Sequence, residues 1–151
     1  MSVDTAPDHA PEQGSAEMAP EQALTWHKAG AGAALATVIE TWGSAPRRAG
    51  AQLVVSGDGE MMGSVSGGCV EGAVVAEAMD ALEDGRPRML EYGVSDEEAF
   101  AVGLACGGTI RVLVEPVGVG DGPDAALLAD LVAARAAREP VVYAVETETW
   151  E

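Results

Sequence analysis

Both cysteines of this 151-residue chain adjoin paired glycines. Cys69 ends the run SVSGGC, which begins at Ser64, and Cys106 opens the run CGG. A glycine-rich stretch between a strand and a helix can leave backbone N–H groups facing an anionic ligand. A cysteine in the first turn of that helix is stabilised as the thiolate, the form that binds metals or transfers sulfur. We therefore expect Gly67 and Gly68 to face a ligand, with Cys69 in the first helical turn.

A purely structural explanation exists for both cysteines. A buried cysteine behaves as a small hydrophobic residue, and paired glycines often serve only to make a tight turn. Because reactive thiols are found at helix starts, we favour a functional role for Cys69. For Cys106 both explanations stay open. Gly107 and Gly108 could turn the chain into the next strand, or let the backbone approach a ligand.

Glu71 places a negative charge close to this turn. That charge would oppose a thiolate at Cys69. If Gly68 is the N-cap residue, Glu71 occupies the third helical position, from which a glutamate can fold back and cap the helix.

Other site chemistries find little support in the sequence. A cysteine hydrolase needs a histidine base, and the only histidines are His9 and His27, far from either cysteine. The cysteines are widely separated with no histidine between them, unlike the ligand spacing of a zinc site. The run GVGDG at Gly118 resembles a dinucleotide loop, but Pro123 replaces its third glycine.

Two arginines offer an anion-binding alternative to the glycine turn. Arg47 and Arg48 follow Pro46 in a loop that glycines punctuate. They could pair with a phosphate group, although adjacent arginines in a loop are more often simply solvated.

Charge and composition exclude several classes of partner. The net charge is −17 and the eight basic residues are scattered, so we expect neither nucleic acid nor anionic membrane as a partner. No apolar run reaches the length of a membrane span, and the N-terminus has acids where a secretory signal has lysine or arginine. We therefore expect a cytoplasmic protein whose thiols stay reduced.

The pattern of apolar residues predicts one α+β domain with helices packed on a mixed sheet. Residues 1–20 are acidic and poor in apolar side chains, which is typical of a disordered tail, and residues 21–151 form the domain. Strands are expected at 33–41, 51–56, 60–66, 87–94, 107–116 and 140–147. Helices are expected at 21–29, 69–83, 95–104 and 123–139. Gly85 and Pro87 are stop signals for the second of these helices.

Four segments in unbroken order resemble the N-terminal domain of the XdhC/CoxI family. They are ETWGSAPRRAGAQLVV, GSVSGGCVEGAVVAEA, YGVSDEEAF and VGLACGGTIRVLVEP, within about residues 33–116. Members of this family are accessory proteins of molybdenum hydroxylases such as xanthine dehydrogenase and carbon monoxide dehydrogenase. The resemblance implies a protein that binds molybdenum cofactor, assists its sulfuration together with a cysteine desulfurase, and delivers it to the apo-enzyme.

The resemblance also implies a single cofactor site with two lips. A thiol of Cys69 or Cys106 would face molybdenum or relay sulfur, and the anionic part of the cofactor, with or without a nucleotide, would meet the glycine turn. The implied cofactor-binding residues are Ser66, Gly67, Gly68, Cys69, Cys106, Gly107 and Gly108, with Ser44, Arg47 and Arg48 in second rank.

The sequence departs from the longer relatives in one respect. They continue into a C-terminal Rossmann-like domain, whereas no dinucleotide fingerprint is present here, so a separately encoded partner could supply that domain. We expect a chaperone or insertion factor without turnover of its own. Two alternatives stay open: a sulfurtransferase or redox thiol protein acting through Cys69, and a hydroxylase subunit that binds no cofactor. A homodimer is also open.

Overall fold

An antiparallel five-stranded sheet forms the centre of the structure, a computed structural model that describes residues 18–45, 47–93 and 108–149. The helices are α1 (Ala19–Lys28), α2 (Glu71–Asp84) and α3 (Ala125–Ala136). The strands are β1 (Ala33–Trp42), β2 (Gln52–Ser56), β3 (Met61–Gly63), β4 (Arg88–Tyr92) and β5 (Thr109–Pro116). The helix expected at 95–104 lies outside the described residues.

The strand order is β3-β2-β1-β5-β4, and every pairing in it is antiparallel. The α+β class is therefore confirmed, but the described part of the sheet is not mixed. An antiparallel hairpin joins β2 to β3, as the Asp-Gly pair at 58–59 predicts. Helix α2 leads to β4, which among the described strands pairs only with β5, again antiparallel.

One face of the sheet packs against α2, whose apolar positions recur three or four residues apart. The fully or almost fully buried residues of this layer are Ala34, Ala36, Val38, Leu53, Val55, Val65, Val70, Val74, Ala78, Ala81, Tyr92, Ile110, Val112 and Val114. Alanine and valine dominate, so the helix and strand backbones can approach closely. Because Val65 and Val70 belong to this cluster, the loop that precedes α2 is anchored on the core at both ends. The expected stop at Gly85 is confirmed: its left-handed conformation caps α2.

The opposite face is covered by α1 and α3. Ala19, Ala23 and Leu128 are buried there against β1 and β2, and an ion pair of 2.8 Å between Arg135 and Glu21 joins the two helices. Ala19 and Pro20 belong to α1 and are buried, so the expected tail boundary at residue 20 is too late by at least two residues.

The segment after α3 does not form the strand expected at 140–147. This segment lies across a face of the sheet and not along one of its edges. On the face, its backbone has no neighbouring strand with which to pair. The Tyr143 hydroxyl donates to Oε2 of Glu115 (2.6 Å), while Val142 is 88% exposed. Burial raises the pKa of the Glu115 carboxyl, against the effect of this hydrogen bond. Together the segment, α3 and the sheet enclose a cavity of about 260 Å³.

Candidate functional site

Several glycine-rich loops come together at one end of the sheet, called the loop end below. β1 leaves the sheet at Trp42, which pairs with Thr109 at the start of β5. Leu53 at the start of β2 pairs with Gly63 at the end of β3. Of the described residues, the loop end comprises 43–45, 47–51, 64–70 and Gly108. Two of these loops share a core, since Ala45 and Ala51 pack against the cluster that contains Val65 and Val70.

Gly108 is in contact with the backbone of residues 43–45. A Cβ atom placed on Gly108 would lie 2.5 Å from the Ala45 nitrogen and 2.8 Å from the Ser44 carbonyl carbon. Gly43, which has a φ of +67° and belongs to the same loop as Ser44 and Ala45, also faces Gly108. The missing side chain of Gly108 therefore allows two loops to pack, a role that the sequence pattern does not indicate. Cys106 and Gly107 lie outside the described residues.

The carboxylate of Glu71 organises the loop between β3 and α2. Its Oε2 accepts hydrogen bonds from the Ser64 hydroxyl (2.8 Å) and from the backbone N–H groups of Val65 and Ser66 (both 2.9 Å). Its Oε1 accepts from the Gly68 N–H (2.9 Å) and from the Ser66 hydroxyl. One buried carboxylate thus gathers donors from every residue of the turn 64–68 except Gly67.

The two serine hydroxyls satisfy the remaining donors of the turn. Ser64 Oγ accepts from the Gly67 N–H (2.8 Å), and Ser66 Oγ accepts from the Val70 N–H (2.9 Å). The expectation that Gly67 and Gly68 direct free N–H groups at a ligand is therefore wrong. Those groups bind side chains of the same loop.

Glu71 does fold back, as the sequence allowed, but from a different position. The N-cap residue is Val70, and Glu71 is the first residue of α2. A signal for this role is present in the serines at 64 and 66, which supply donors within reach of one carboxylate. The signal is easily missed, because a capping glutamate is expected at the third helical position.

The ionisation of Glu71 is strongly favoured in this environment. Burial of the carboxyl acts to raise its pKa, but hydrogen bonds from Ser66, Ser64 and Val65 outweigh this effect and lower the pKa to about 2. A carboxylate that accepts several backbone N–H groups is known to behave in this way. The turn therefore contains its own bound anion at every pH near neutrality.

Cys69 is a free, exposed cysteine that lies ahead of the N-cap residue. Its expected place in the first turn of the helix is wrong by two residues, because α2 begins only at Glu71. Gly67 and Gly68 have φ angles of +71° and +115°, conformations that side chains disfavour. A Cβ on Gly68 would meet no atom within 4 Å. The surface beside the thiol is therefore open.

Arg47 and Arg48 lie in the loop that contacts Gly108. Neither takes part in the ion pairs found among residues 18–45, 47–93 and 108–149. Arg48 is exposed, Arg47 is half-buried, and the nearby Ser44 is exposed. The turn 48–51 is closed by the Ala51 N–H, which donates to the Arg48 carbonyl (3.0 Å). Both guanidinium groups are thus available to an anion.

The described residues give little support to a cysteine hydrolase or to a metal site. His27 packs against Gly118 beyond the far end of β5, away from the loop end, so it is no base for Cys69. No cluster of three or more His, Cys, Asp or Glu suited to a metal ion occurs in the described part of the chain. Within that part, no helix is long and apolar enough to span a membrane.

Comparisons with known proteins identify the segment that carries this site. Residues 26–93 match the XdhC and CoxI family. Over 83 residues the chain is 46% identical to the molybdenum cofactor insertion chaperone PaoD of Escherichia coli K12, a match that covers 55% of this chain and 26% of PaoD. Over 88 residues it is 35% identical to a probable xanthine dehydrogenase subunit of Bacillus subtilis 168, which covers 56% of this chain and 26% of that protein.

A solved structure has a similar fold. It is the crystal structure of a xanthine dehydrogenase from Bacillus halodurans, with a TM-score of 0.54 and 33% sequence identity. The similarity covers 64% of this chain and 30% of that one. The matched part thus amounts to about a quarter of each of the two curated relatives.

Proposed function

We propose that this chain, whose residues 26–93 match the XdhC and CoxI family, is a maturation factor for a molybdenum hydroxylase. In this role it binds molybdenum cofactor as cargo at the loop end and passes it to the apo-enzyme. The names of two relatives, an insertion chaperone and a probable xanthine dehydrogenase subunit, support this proposal. No turnover by the protein itself is required.

The observation that carries the proposal is the exposed thiol of Cys69 beside a hydrogen-bonded turn. The turn belongs to the matched segment, as do the loop 43–51 and α2. A thiol is a suitable ligand for a soft metal centre and a suitable carrier for sulfur. The fixed turn keeps this thiol at the surface, where a cargo molecule and a receiving enzyme can both reach it.

The residues of the loop end fit the chemical parts of the cofactor. Its molybdenum and dithiolene sulfur would lie toward Cys69, and the open surface over Gly68 leaves room for the pterin. Its phosphate would pair with Arg47 and Arg48, which have no acidic partner in the described part of the chain. The glycine turn does not supply the phosphate site, since Glu71 occupies its N–H groups. Cys106, Gly107 and Gly108 would form the opposite lip.

We propose further that the protein assists sulfuration of the cofactor with a cysteine desulfurase, in the cytoplasm, for hydroxylases that include carbon monoxide dehydrogenase. The exposed thiol of Cys69 supports the sulfuration part of this proposal, because a free thiol can carry sulfur. A separately encoded Rossmann-like partner and a homodimer are compatible with the same site.

Isolation of the protein from cells that make the cofactor tests the proposed function. Oxidation of the bound pterin should yield its fluorescent product in an amount close to one per chain, and the isolated protein should activate an apo-hydroxylase. Cys69→Ser should lose activation, and Cys106→Ser is the matched control with a smaller loss. Absence of pterin and of activation from the folded wild-type protein would refute the proposal.

A second function is favoured by the same exposed thiol. As a sulfurtransferase, the protein would use the Cys69 thiolate to attack the outer sulfur of a persulfide donor. The donor would leave as its thiolate, and Cys69 would carry the persulfide. Mass spectrometry of the Cys69 peptide distinguishes the two functions: a persulfide without pterin indicates the sulfurtransferase, and pterin indicates the chaperone.

A further inference from the structure

We propose that Glu71 is a positioning residue, which acts through Cys69 by holding the turn 64–68 around its carboxylate. This inference rests on the proposed function, because the benefit of a fixed thiol is the retention of cargo. Glu71 itself faces the turn and not the cargo. Its side chain is buried, and both of its oxygens are engaged by the loop.

The hydrogen bonds show how the carboxylate fixes the thiol. Gly68, the residue directly before Cys69, donates its N–H to Oε1. Val70, directly after Cys69, donates to Ser66, whose own hydroxyl donates to Oε1 as well. Both neighbours of the cysteine are therefore tied to one anion, while the cysteine side chain remains exposed.

The same turn would become an anion site if the phosphate of the cargo displaced Glu71. This alternative is less favourable. Displacement would expose a buried carboxylate and break five hydrogen bonds, two of them from serine hydroxyls that cap other donors. Buried donors left without a partner are costly.

The replacement Glu71→Gln tests the role with almost no change in shape. A glutamine offers one acceptor oxygen and one NH₂ group. The NH₂ group would take the place of one carboxylate oxygen and could not accept the hydrogen bonds that the turn donates there. We expect amide hydrogen exchange at Val65, Ser66 and Gly68 to become at least roughly tenfold faster. Pterin retained on isolation should fall by about tenfold or more, as for residues that orient metal ligands.

A double-mutant cycle with Cys69→Ser separates positioning from a merely structural role. If Glu71 acts through the thiol, Glu71→Gln should cause no further loss of pterin in the Cys69→Ser background. Equal losses in both backgrounds would overturn the proposal. Glu83→Gln, an exposed change on the same helix, is the matched control and should leave exchange and retention unchanged.

Two further measurements keep the test decisive. If Glu71→Gln does not fold, Ser64→Ala removes one hydrogen bond to the carboxylate and should give a smaller change in the same direction. Unchanged amide exchange in Ser64→Ala and in a folded Glu71→Gln would refute the positioning role even if pterin is bound. Absence of pterin from the wild-type protein would refute the proposed function, while the exchange measurement would still show whether Glu71 holds the turn.

Discussion

The replacement Gly108→Ala should separate two loops whose contact builds the candidate site. Gly108 is buried against residues 43–45 at the loop end. The nearest atoms that an alanine Cβ would meet there belong to the backbone of Ser44 and Ala45. Destabilisation would therefore report on the contact between the loops.

The magnitude follows from the space around Gly108. The added Cβ would lie 2.5 Å from the Ala45 nitrogen, about 0.9 Å closer than the 3.4 Å at which ordinary contacts begin. Because the obstructing atoms belong to backbone, no side-chain rotation can relieve the clash. Overpacking of this kind costs about 1–3 kcal/mol. At about 4 °C for each kcal/mol in a chain of this size, Tm should fall by about 4–12 °C.

Urea unfolding and thermal melts measure this effect directly. Gly72→Ala is the matched control, since its Cβ would meet no atom within 4 Å and Gly72 lies in α2. It should stabilise the protein by about 0.5 kcal/mol. If Gly108→Ala melts at the wild-type temperature, residues 43–45 and Gly108 are not in contact, and the two-lipped site loses its structural basis.

Three other predictions follow from charge and burial. The pKa of Glu71 is about 2 in the folded protein, against an ordinary value of 4.5. Ionised Glu71 therefore adds about 3 kcal/mol to the free energy of unfolding above pH 4.5, and this stabilisation is lost as the pH falls toward 2. Measured by urea unfolding, wild-type stability should therefore fall more steeply over this pH range than that of Glu71→Gln, which has no proton to bind there; equal pH dependence of the two stabilities would contradict the assignment. Replacing both Arg47 and Arg48 by alanine should weaken pterin binding and reduce its salt dependence at an unchanged Tm; unaltered binding at low salt would exclude a phosphate contact. Deleting residues 1–17 should leave Tm unchanged, whereas extending the deletion through Pro20 should lower it, because Ala19 and Pro20 are buried in α1.

The sequence predicts most elements of this fold through local patterns. The small and β-branched residues of β1 indicated a buried strand, and Gly85 marked the end of α2. Pairing direction is not local: it depends on which strands meet, and no local pattern signals that β4 joins β5 rather than a parallel neighbour. The expected strand at 140–147 failed for a similar reason. Its β-branched residues are favourable for a strand, but the segment is held to the sheet through Tyr143 and Glu115 and pairs with none of the described strands.

The candidate site likewise has features that local sequence predicts and features that depend on contacts distant in the sequence. Paired glycines indicated a turn before α2, and a turn with positive φ at Gly67 and Gly68 is present there. The family resemblance is confirmed over residues 26–93. The direction of the N–H groups could not be predicted, because it depends on a buried carboxylate satisfying them. Likewise, the role of Gly108 depends on a loop more than 60 positions away in sequence, near Ala45. The roles of Ser66 and Cys69 as parts of a cofactor site stay predictions.

Protection of Cys69 by cofactor tests the central claim most directly. The folded protein carrying Cys106→Ser would be treated with iodoacetamide, with and without isolated molybdenum cofactor, and the alkylated fraction of the Cys69 peptide measured by mass spectrometry. The exposed thiol should react readily in the free protein, and a saturating amount of cofactor should suppress the reaction, whereas inorganic phosphate alone should not. Equal alkylation with and without cofactor, at concentrations where pterin is bound, would show that the cargo does not lie against Cys69.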